Sequence, residues 1–228
     1  MDDFLKNSSL DDSESQIIRK QIIDLTINYY EKTHLPKKFI PGKTMVPVSG
    51  KVFDEIELQL LISSSLDFWL TSDRFNKKFE KNLSNFLNST FVLTTNSGSS
   101  ANLLAITALK SKELGKRSLN DGDEVIAVAA GFPTTVNPII QNNLVPVFID
   151  VKLGTYAVDE TKIENAITKK TKAIMLAHTL GNTFNLNYVK ELCKKYNLWL
   201  IEDCCDALGT TYENKHVGSF GDIGTLSF

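Results

Sequence analysis

Five residues with reactive side chains follow one another directly after a short apolar run. The stretch reads LIEDCCDALG over residues 200–209 and supplies Glu202, Asp203, Cys204, Cys205 and Asp206. Carboxylates and thiols are ligands of metal ions, and two cysteines can also form a redox pair. A carboxylate at the end of a buried strand could instead hold the protonated ring nitrogen of a pyridine, because a nearby negative charge favours the cationic ring. The three histidines form no ligand spacing with this stretch, which favours the last interpretation.

A second stretch combines a turn of small polar residues with the start of a helix. Residues 94–109 read TTNSGSSANLLAITAL, so a predicted strand ends, a polar turn follows and an apolar helix begins. The backbone N–H groups of Gly98 to Ala101, the helix dipole and the serine hydroxyls would converge on a phosphate. An ordinary serine N-cap is the alternative. A dinucleotide site is disfavoured because the glycines of G-x-G-x-x-G are absent from the stretch.

A third stretch, AAGFPTTVNPI at residues 129–139, places an aromatic ring in a loop after a predicted strand. Loops at the carboxyl ends of strands line the ligand crevice of an open α/β sheet. Phe132, fixed by Pro133, is suited to stack on a flat ring, and a place in the core is the alternative. The PGKT at 41–44 is not a phosphate loop, because Lys37 occupies the position of its first glycine and no strand precedes it.

The elements that must position these residues alternate between strands and helices from Phe91 onward. The strands are short and apolar on both faces, which predicts an α/β fold around a mostly parallel sheet with helices on both faces. Strands are expected at 91–95, 124–130, 145–150, 172–177, 198–202 and 223–228, and helices at 99–110, 134–142, 159–168 and 186–196. Because the last strand reaches Phe228, we expect the chain to be the N-terminal part of a longer protein.

Three further helices are predicted before the alternating region. The first, at 14–32, is amphipathic, and the residues at helical spacing on its face are Ile17, Ile18, Gln21, Ile22, Leu25 and Tyr29. A capping-box pair, Asp54 and Glu57, opens the second, and Ser72 opens the third. We therefore divide the chain into an N-terminal helix with an extended arm, 1–53, and a large domain, 54–228.

Composition narrows the classes of partner. With 25 Lys and Arg against 27 Asp and Glu, the net charge is −2, which indicates binding to neither nucleic acid nor an anionic membrane. The N-terminus has no apolar signal region and no window is long enough to span a bilayer, so a cytoplasmic protein is expected. Three cysteines, two of them adjacent, do not fit a disulfide framework.

From about Phe39 to Phe228 the chain resembles the DegT/DnrJ/EryC1/StrS sugar aminotransferase family, which has the fold-type I pyridoxal-phosphate (PLP) architecture. The resemblance rests on TNSGSSAN, GFPTTVNP, IEDCCDALGT and GSFGDIGTLSF in this order. Within the family, PGKTMVPVSGKVFDE, AHTLGN and EDCCDALG look most like the CDP-4-keto-6-deoxyglucose 3-dehydratases of lipopolysaccharide and O-antigen biosynthesis. Thr183 departs from this branch, where proline is usual. The resemblance also implies a C-terminal small domain, which this chain lacks.

The resemblance implies roles for individual residues. It makes Gly98, Ser99 and Ser227 phosphate binders, Phe132 the ring-stacking residue and Asp203 the partner of the pyridine nitrogen. His178 and Asp206 would lie near the cofactor or sugar. Position 232, beyond the given sequence, is lysine in ordinary members and histidine in the 3-dehydratases, so the 228-residue chain alone is expected to be inactive.

The implied activity is dehydration at C3 of a CDP-4-keto-6-deoxyhexose with pyridoxamine phosphate (PMP), in a homodimeric enzyme. An iron–sulfur flavin reductase would supply electrons, and Cys205 matches one ligand of a [2Fe–2S] cluster found in this branch. A PLP-dependent nucleotide-sugar aminotransferase is the enzymatic alternative, with the same role for Asp203. A truncated paralogue without catalytic activity, which would bind a partner subunit, is the alternative outside enzymes.

Overall fold

A computed structural model describes residue 5 and residues 13–47, 50–89 and 91–228. The chain forms two compact units, one up to Phe79 and one from Glu80 to Phe228. Each unit is described by itself, and the division of the chain into domains at residue 53 stays a prediction. None of the helices in the described ranges combines the length and apolarity needed to cross a membrane.

The first unit pairs α1, Ser13–Thr33, with α2, Glu55–Asp67. The capping box predicted at the start of α2 is confirmed, because the Asp54 side chain accepts from the Ile56 N–H and the Glu57 side chain accepts from the Asp54 N–H. A third helix, α3, spans Arg74–Leu87 across the boundary between the units.

The predicted apolar face of α1 is wrong, although the helix itself is confirmed. The residues of α1 that are buried are Arg19, Ile23 and Tyr30, whereas Leu25 and Tyr29 are exposed. The Arg19 guanidinium donates to the Ser63 carbonyl at 2.6 Å and pairs with Asp67 at 2.9 Å. A buried guanidinium must satisfy its donors, so these partners on α2 turn the Arg19 side of α1 inward.

The second unit contains a five-stranded, all-parallel sheet, which confirms the predicted α/β fold. Its strands lie in the order β2-β1-β3-β4-β7, and a separate antiparallel hairpin, β5-β6, was not predicted. The strands are β1 Glu124–Val128, β2 Val145–Ile149, β3 Thr171–Ala177, β4 Trp199–Asp203, β5 Thr211–Tyr212, β6 Lys215–His216 and β7 Ile223–Thr225. The helices are α4 Gly98–Leu109, α5 Pro133–Gln141, α6 Ile163–Ala166 and α7 Leu186–Tyr196, and short 3₁₀ segments lie at Lys112–Arg117, Glu160–Lys162 and Thr179–Gly181.

Helices cover both faces of this sheet, because successive side chains of a strand point to opposite faces. Val125, Ala127, Met175 and Ile201 pack in one apolar cluster with residues of α4 and α5. Alternate residues of the same strands, among them Ile126 and Leu200, pack in a second cluster with residues of α6 and α7. The side chains at the ends of the strands are therefore divided between two different environments.

Two predicted elements are corrected. Residues 91–95 form no strand, because none of the described strands forms a backbone ladder with them, and Phe91 and Leu93 stay 85% and 79% exposed. β propensity describes a side chain that packs on a sheet and cannot supply the neighbouring strand. The helix predicted at 159–168 shrinks to a 3₁₀ turn and the single turn of α6, since the backbone becomes extended at Ile167.

Glycines allow the segment before β7 to lie directly against β4. A Cβ atom at Gly221 would be 2.6 Å from the Leu200 carbonyl oxygen, and one at Gly224 would overlap the carbonyl oxygen of Gly218. β7 pairs with β4 in parallel register, from Ile201 opposite Ile223 to Asp203 opposite Thr225. The close approach therefore helps to fix the register in which β7 pairs with the end of β4.

We predict that Gly221→Ala lowers the free energy of unfolding by about 3 kcal/mol or more, because a backbone carbonyl cannot move away as a flexible side chain would. Gly50→Ala is the control: Gly50 has open space around its Cβ position and no positive φ, so a change within about 0.5 kcal/mol is expected. Urea unfolding followed by circular dichroism measures both. Equal losses in the two variants would contradict the close approach.

Candidate active site

The carboxyl end of the sheet brings together segments that are distant in sequence. β4 ends at Asp203, which accepts hydrogen bonds from Asn102 of α4 and from Thr135 in the first turn of α5. Ser227, in the segment after β7, lies beside Gly98 at the start of α4. Each predicted stretch with reactive or binding residues supplies one of these segments. The crevice predicted at the strand ends is therefore formed by residues of the second unit alone.

Asp203 is buried, and its carboxylate has a defined set of donors. Oδ2 accepts from Asn102 Nδ2 at 2.8 Å and from Thr135 Oγ1 at 2.7 Å. Oδ1 accepts the Cys205 backbone N–H at 3.1 Å, and the Cys205 thiol also hydrogen-bonds the Asp203 side chain. A carboxylate oxygen can accept two hydrogen bonds and a thiol is a weak donor, so a ligand N–H can take the second position on Oδ1.

Gly98, Ser227 and Cys205 meet at the start of α4. A Cβ atom at Gly98 would be 2.7 Å from Ser227 Cβ, 2.9 Å from Ser227 Oγ and 3.0 Å from Cys205 Sγ. Glycine therefore lets the Ser227 hydroxyl approach the helix N-terminus, where backbone N–H groups attract anions. The predicted phosphate binders Gly98 and Ser227 are thus adjacent.

The predicted set of phosphate-binding N–H groups is too large. The N-cap residue Ser97 accepts the Ser100 N–H with its side chain at 3.2 Å and the Ala101 N–H with its carbonyl at 3.0 Å. These two donors are already bonded, because a helix N-cap satisfies the N–H groups of its first turn. Among the described residues, the N–H groups of Gly98 and Ser99 have no acceptor, and Ser99 is exposed. The serine cap therefore does not exclude the predicted phosphate site.

Phe132 is 70% exposed at the N-terminus of α5, so it is not a core residue. Its carbonyl accepts the Thr135 N–H at 3.1 Å, and the Thr135 side chain donates to Asp203. One short turn therefore links the candidate ring-stacking residue to the candidate partner of the ring nitrogen. Asp206 is also exposed, beyond the end of β4.

His178 is not where the resemblance implied. It is wholly buried, stacks on Phe184 with ring centroids 4.7 Å apart, and bonds Glu202 through Nε2 at 3.0 Å. Glu202 and Asp203 are neighbours on β4 and point to opposite faces. The His178 ring therefore packs on the side of the sheet opposite to the Asp203 carboxylate, and we correct its assignment as a cofactor ligand.

The Glu202 carboxylate holds the segment that leads into β7. It accepts the backbone N–H groups of Gly218 at 2.9 Å, Phe220 at 2.7 Å and Gly221 at 2.7 Å, in addition to the His178 bond. Burial raises the pKa of Glu202, but the hydrogen bonds from His178 and the backbone outweigh it and hold the pKa below its usual value. Glu202 is therefore an ionised structural residue.

The three cysteines are free and do not converge. Cys193 and Cys204 lie in the cluster on the Glu202 face, whereas Cys205 is half-buried against Gly98. Burial, followed by the neighbouring Asp203, raises the pKa of Cys205 to about 12, and burial also raises the pKa of Cys204. Cluster ligation requires several thiolates. The three cysteines of this chain thus supply a [2Fe–2S] cluster with one thiol at most.

The described residues form one group with the side-chain types of a metal site, His178, Glu202 and Cys204, whose ligand atoms lie within 4.8 Å of one another. Histidine spacing in the sequence did not predict this group, because the fold brings His178 to the end of β4. Four hydrogen bonds already occupy the Glu202 carboxylate. The group is therefore explained by its role in packing.

Sequence reasoning missed the residues that orient Asp203. Asn102, Thr135 and Thr225 are all buried, and their side chains form one hydrogen-bonded network with the carboxylate. A signal for Asn102 was present, since it is the amide within the apolar run ANLLAITAL. A polar side chain on the inward face of a helix requires a buried partner.

The fold places a helix N-terminus and a buried carboxylate at the same end of a parallel α/β sheet. Residues 53–228 match the profile of the DegT/DnrJ/EryC1/StrS aminotransferase family. The chain belongs to this family.

Two relatives and one solved structure illustrate the similarity. The chain is 62% identical over 92% of its length to the lipopolysaccharide biosynthesis protein RfbH of Salmonella typhimurium. It is 44% identical over 92% of its length to dTDP-4-dehydro-2,6-dideoxy-D-glucose 3-dehydratase of Saccharopolyspora spinosa. A structure of E. coli GDP-4-keto-6-deoxy-D-mannose-3-dehydratase with bound hydrated PLP superposes with a TM-score of 0.71 at 33% identity, over 77% of this chain and 44% of that one. The chain spans 48% and 45% of the two curated relatives.

We predict that Glu202→Gln lowers the free energy of unfolding at pH 7 by about 1–3 kcal/mol, because an amide cannot accept the three backbone N–H groups as a carboxylate does. The folded pKa of Glu202 is lowered, so its stabilisation is complete above the usual value of 4.5 and is lost as the pH falls through the folded pKa. The difference between variant and wild type should therefore shrink below about pH 4.5. Urea unfolding across this range checks it, and a difference that grows in acid would contradict it.

Proposed function

We propose that the chain is the cofactor-binding part of a nucleotide-sugar 3-dehydratase, which acts with PMP on a CDP-4-keto-6-deoxyhexose in deoxysugar and O-antigen biosynthesis. The observation that carries the proposal is the buried Asp203 carboxylate, which two side-chain donors hold through Oδ2 and which the Cys205 backbone N–H contacts at Oδ1. It lies at the same sheet end as the contact between Gly98 and Ser227. A flat cationic ring with a phosphate tail matches this pair of sites.

Each residue of the site has a distinct task in this proposal. Asp203 Oδ1 accepts the N–H of the protonated ring, the Gly98 and Ser99 N–H groups and the Ser227 hydroxyl bind the phosphate, and Phe132 covers a ring face and excludes water. When bound, PMP supplies an amine that reacts with the sugar ketone and a ring that withdraws electron density. Asp203 is thus expected to stabilise the charge that the ring must carry.

Dehydration is favoured over amino transfer by the relatives. The RfbH protein at 62% identity and the 3-dehydratase at 44% are much closer to this chain than the GDP-perosamine synthase of Vibrio cholerae at 33%. Asp203 would serve both reactions. The residue at position 232 separates them: histidine supports the dehydratase and lysine supports a PLP-dependent aminotransferase. Failure of the full-length protein to bind PMP or PLP would support a paralogue without catalytic activity.

The remaining parts of the proposal follow from the chemistry and the resemblance. Replacing a C3 hydroxyl by hydrogen is a net reduction, so a 3-dehydratase that leads to a 3-deoxy sugar needs an electron donor, for which an iron–sulfur flavin reductase is the expected class. We also propose assembly as a homodimer in the cytoplasm. Asp206, exposed beyond the end of β4, is retained as a candidate contact with the sugar.

We predict that Asp203→Asn, in the full-length protein, lowers turnover of the CDP-4-keto-6-deoxyhexose by about 1,000-fold or more, equivalent to about 4 kcal/mol. The reason is that a neutral amide cannot stabilise a protonated pyridine. Asp150→Asn, a change at an exposed carboxylate of the same unit, is the control. Single-turnover kinetics with added PMP measure both, and near-normal kcat in Asp203→Asn would refute the role of Asp203.

A separate prediction concerns Cys205, which we propose as one ligand of an iron–sulfur cluster. Anaerobically purified full-length protein should contain iron and acid-labile sulfide, and Cys205→Ser should lose them because a thiolate ligand is removed. Cys193→Ser should keep them, since Cys193 lies in the core on the opposite face. Wild type without iron, or a Cys205→Ser protein with full iron content, would overturn this part of the proposal.

A further inference from the structure

The side chain of Asn102 touches every segment that builds the candidate cofactor site. It projects from α4 and is wholly buried. Its Nδ2 donates to Asp203 Oδ2 at 2.8 Å and to the Thr134 carbonyl at 3.1 Å, and its Oδ1 accepts from Thr225 Oγ1 at 2.6 Å. The amide therefore joins the helix that begins at Gly98 to the α5 turn, to the end of β4 and to β7.

These bonds allow the amide one orientation. A flipped Asn102 would direct its carbonyl oxygen at the Asp203 carboxylate and at the Thr134 carbonyl, and both are acceptors. The N–H groups would then lose both acceptors, and Thr225 Oγ1 could accept only one of them, so at least one buried donor would be unsatisfied. The Asn102 amide consequently presents a fixed donor to Asp203 Oδ2.

Thr135 supplies the second donor to the same oxygen. Its hydroxyl reaches Asp203 Oδ2 at 2.7 Å, and Thr135 is also buried. Two side-chain donors on Oδ2 prevent rotation of the carboxylate and direct Oδ1 to the crevice. Asn102 and Thr135 are buried behind Asp203, so any effect they have on a bound ring must act through the Asp203 carboxylate.

We propose that Asn102 and Thr135 are positioning residues that direct Asp203 Oδ1 at the N–H of a bound pyridine ring. This inference rests on the proposed function. Both donors hold Oδ2, so the carboxylate plane is fixed and Oδ1 has one direction in which to meet the ring nitrogen. A carboxylate in contact with a pyridine nitrogen favours the protonated ring, and a carboxylate that is free to rotate loses this contact.

The other titratable groups that face Asp203 do not replace these donors. The Cys205 thiol also hydrogen-bonds the Asp203 side chain, but a thiol is a weak donor. Glu202 and His178 lie on the opposite face of the sheet. Asn102 and Thr135 are therefore the strong side-chain donors to the carboxylate among the described residues.

The test uses full-length protein loaded with PMP that carries ¹⁵N at the ring nitrogen. The ¹⁵N chemical shift at neutral pH reports whether that nitrogen is protonated, independently of turnover. Wild type should give the shift of a protonated ring, and Asn102→Leu and Thr135→Val should move it toward that of a neutral pyridine. Equilibrium dialysis should show PMP binding weakened about tenfold or more, the loss expected for one hydrogen bond to a charged group.

Two control variants separate positioning from general damage. Thr135→Ser keeps the hydroxyl and should keep the wild-type shift and affinity. Ile106→Val removes a buried methyl group from the same helix as Asn102 without a bond to Asp203, so it should lower stability and leave the shift unchanged. If Asn102→Leu does not fold, the Thr135→Val and Thr135→Ser pair still decides the question.

The outcomes distinguish a failure of the positioning role from a failure of the proposed function. Wild type that binds PMP with a protonated ring, with the same shift in Asn102→Leu and Thr135→Val, overturns the positioning role and leaves the proposed function intact. A change in Ile106→Val equal to that in Thr135→Val also overturns the positioning role. Wild type that does not bind PMP overturns the proposed function and this inference with it.

Discussion

The structure of the site depends on the burial of one carboxylate at the end of a strand. An ionised group without partners in such a place would be strongly destabilising, so the surrounding segments must supply donors to Asp203. Asn102 and Thr135 come from two helices and Cys205 from the chain that follows β4. Satisfying the carboxylate therefore brings together the helix start, the aromatic turn and the strand end that a cofactor would use.

The adjacent carboxylate has the opposite role because a strand alternates its faces. Glu202 accepts four hydrogen bonds and has no acceptor capacity directed at the crevice. Its donors are mostly backbone N–H groups, so it replaces the regular pairing that the 218–221 segment lacks. Glu202 thus holds the backbone of the 218–221 segment, whereas its neighbour Asp203 is the carboxylate that a ligand can contact.

The sequence predicted the sheet and the crevice because both depend on local patterns. Apolar runs of strand length predict buried strands in any α/β protein, and a small polar turn such as the one before α4 predicts the start of a helix. The strand predicted at 91–95 is wrong, because a strand also needs a neighbouring strand and β propensity does not reveal one. His178 was misplaced because the sequence shows that it follows a strand but not which face it takes relative to Asp203. The Asn102 network spans 123 residues of sequence to Thr225, a separation at which no periodicity gives information.

The two faces of β4 nevertheless act on the same crevice, through β7. Glu202 fixes the 218–221 segment, and the contacts at Gly221 and Gly224 leave it little freedom along β4. The register of β7 against β4 then decides whether the Thr225 side chain reaches Asn102. It also decides whether Ser227, two residues later, lies beside Gly98. A shift of β7 by one residue would point Thr225 to the other face and remove the acceptor bond that orients the Asn102 amide. The backbone register held by Glu202 is therefore a condition for the orientation of Asp203, although the two carboxylates share no hydrogen-bond donor.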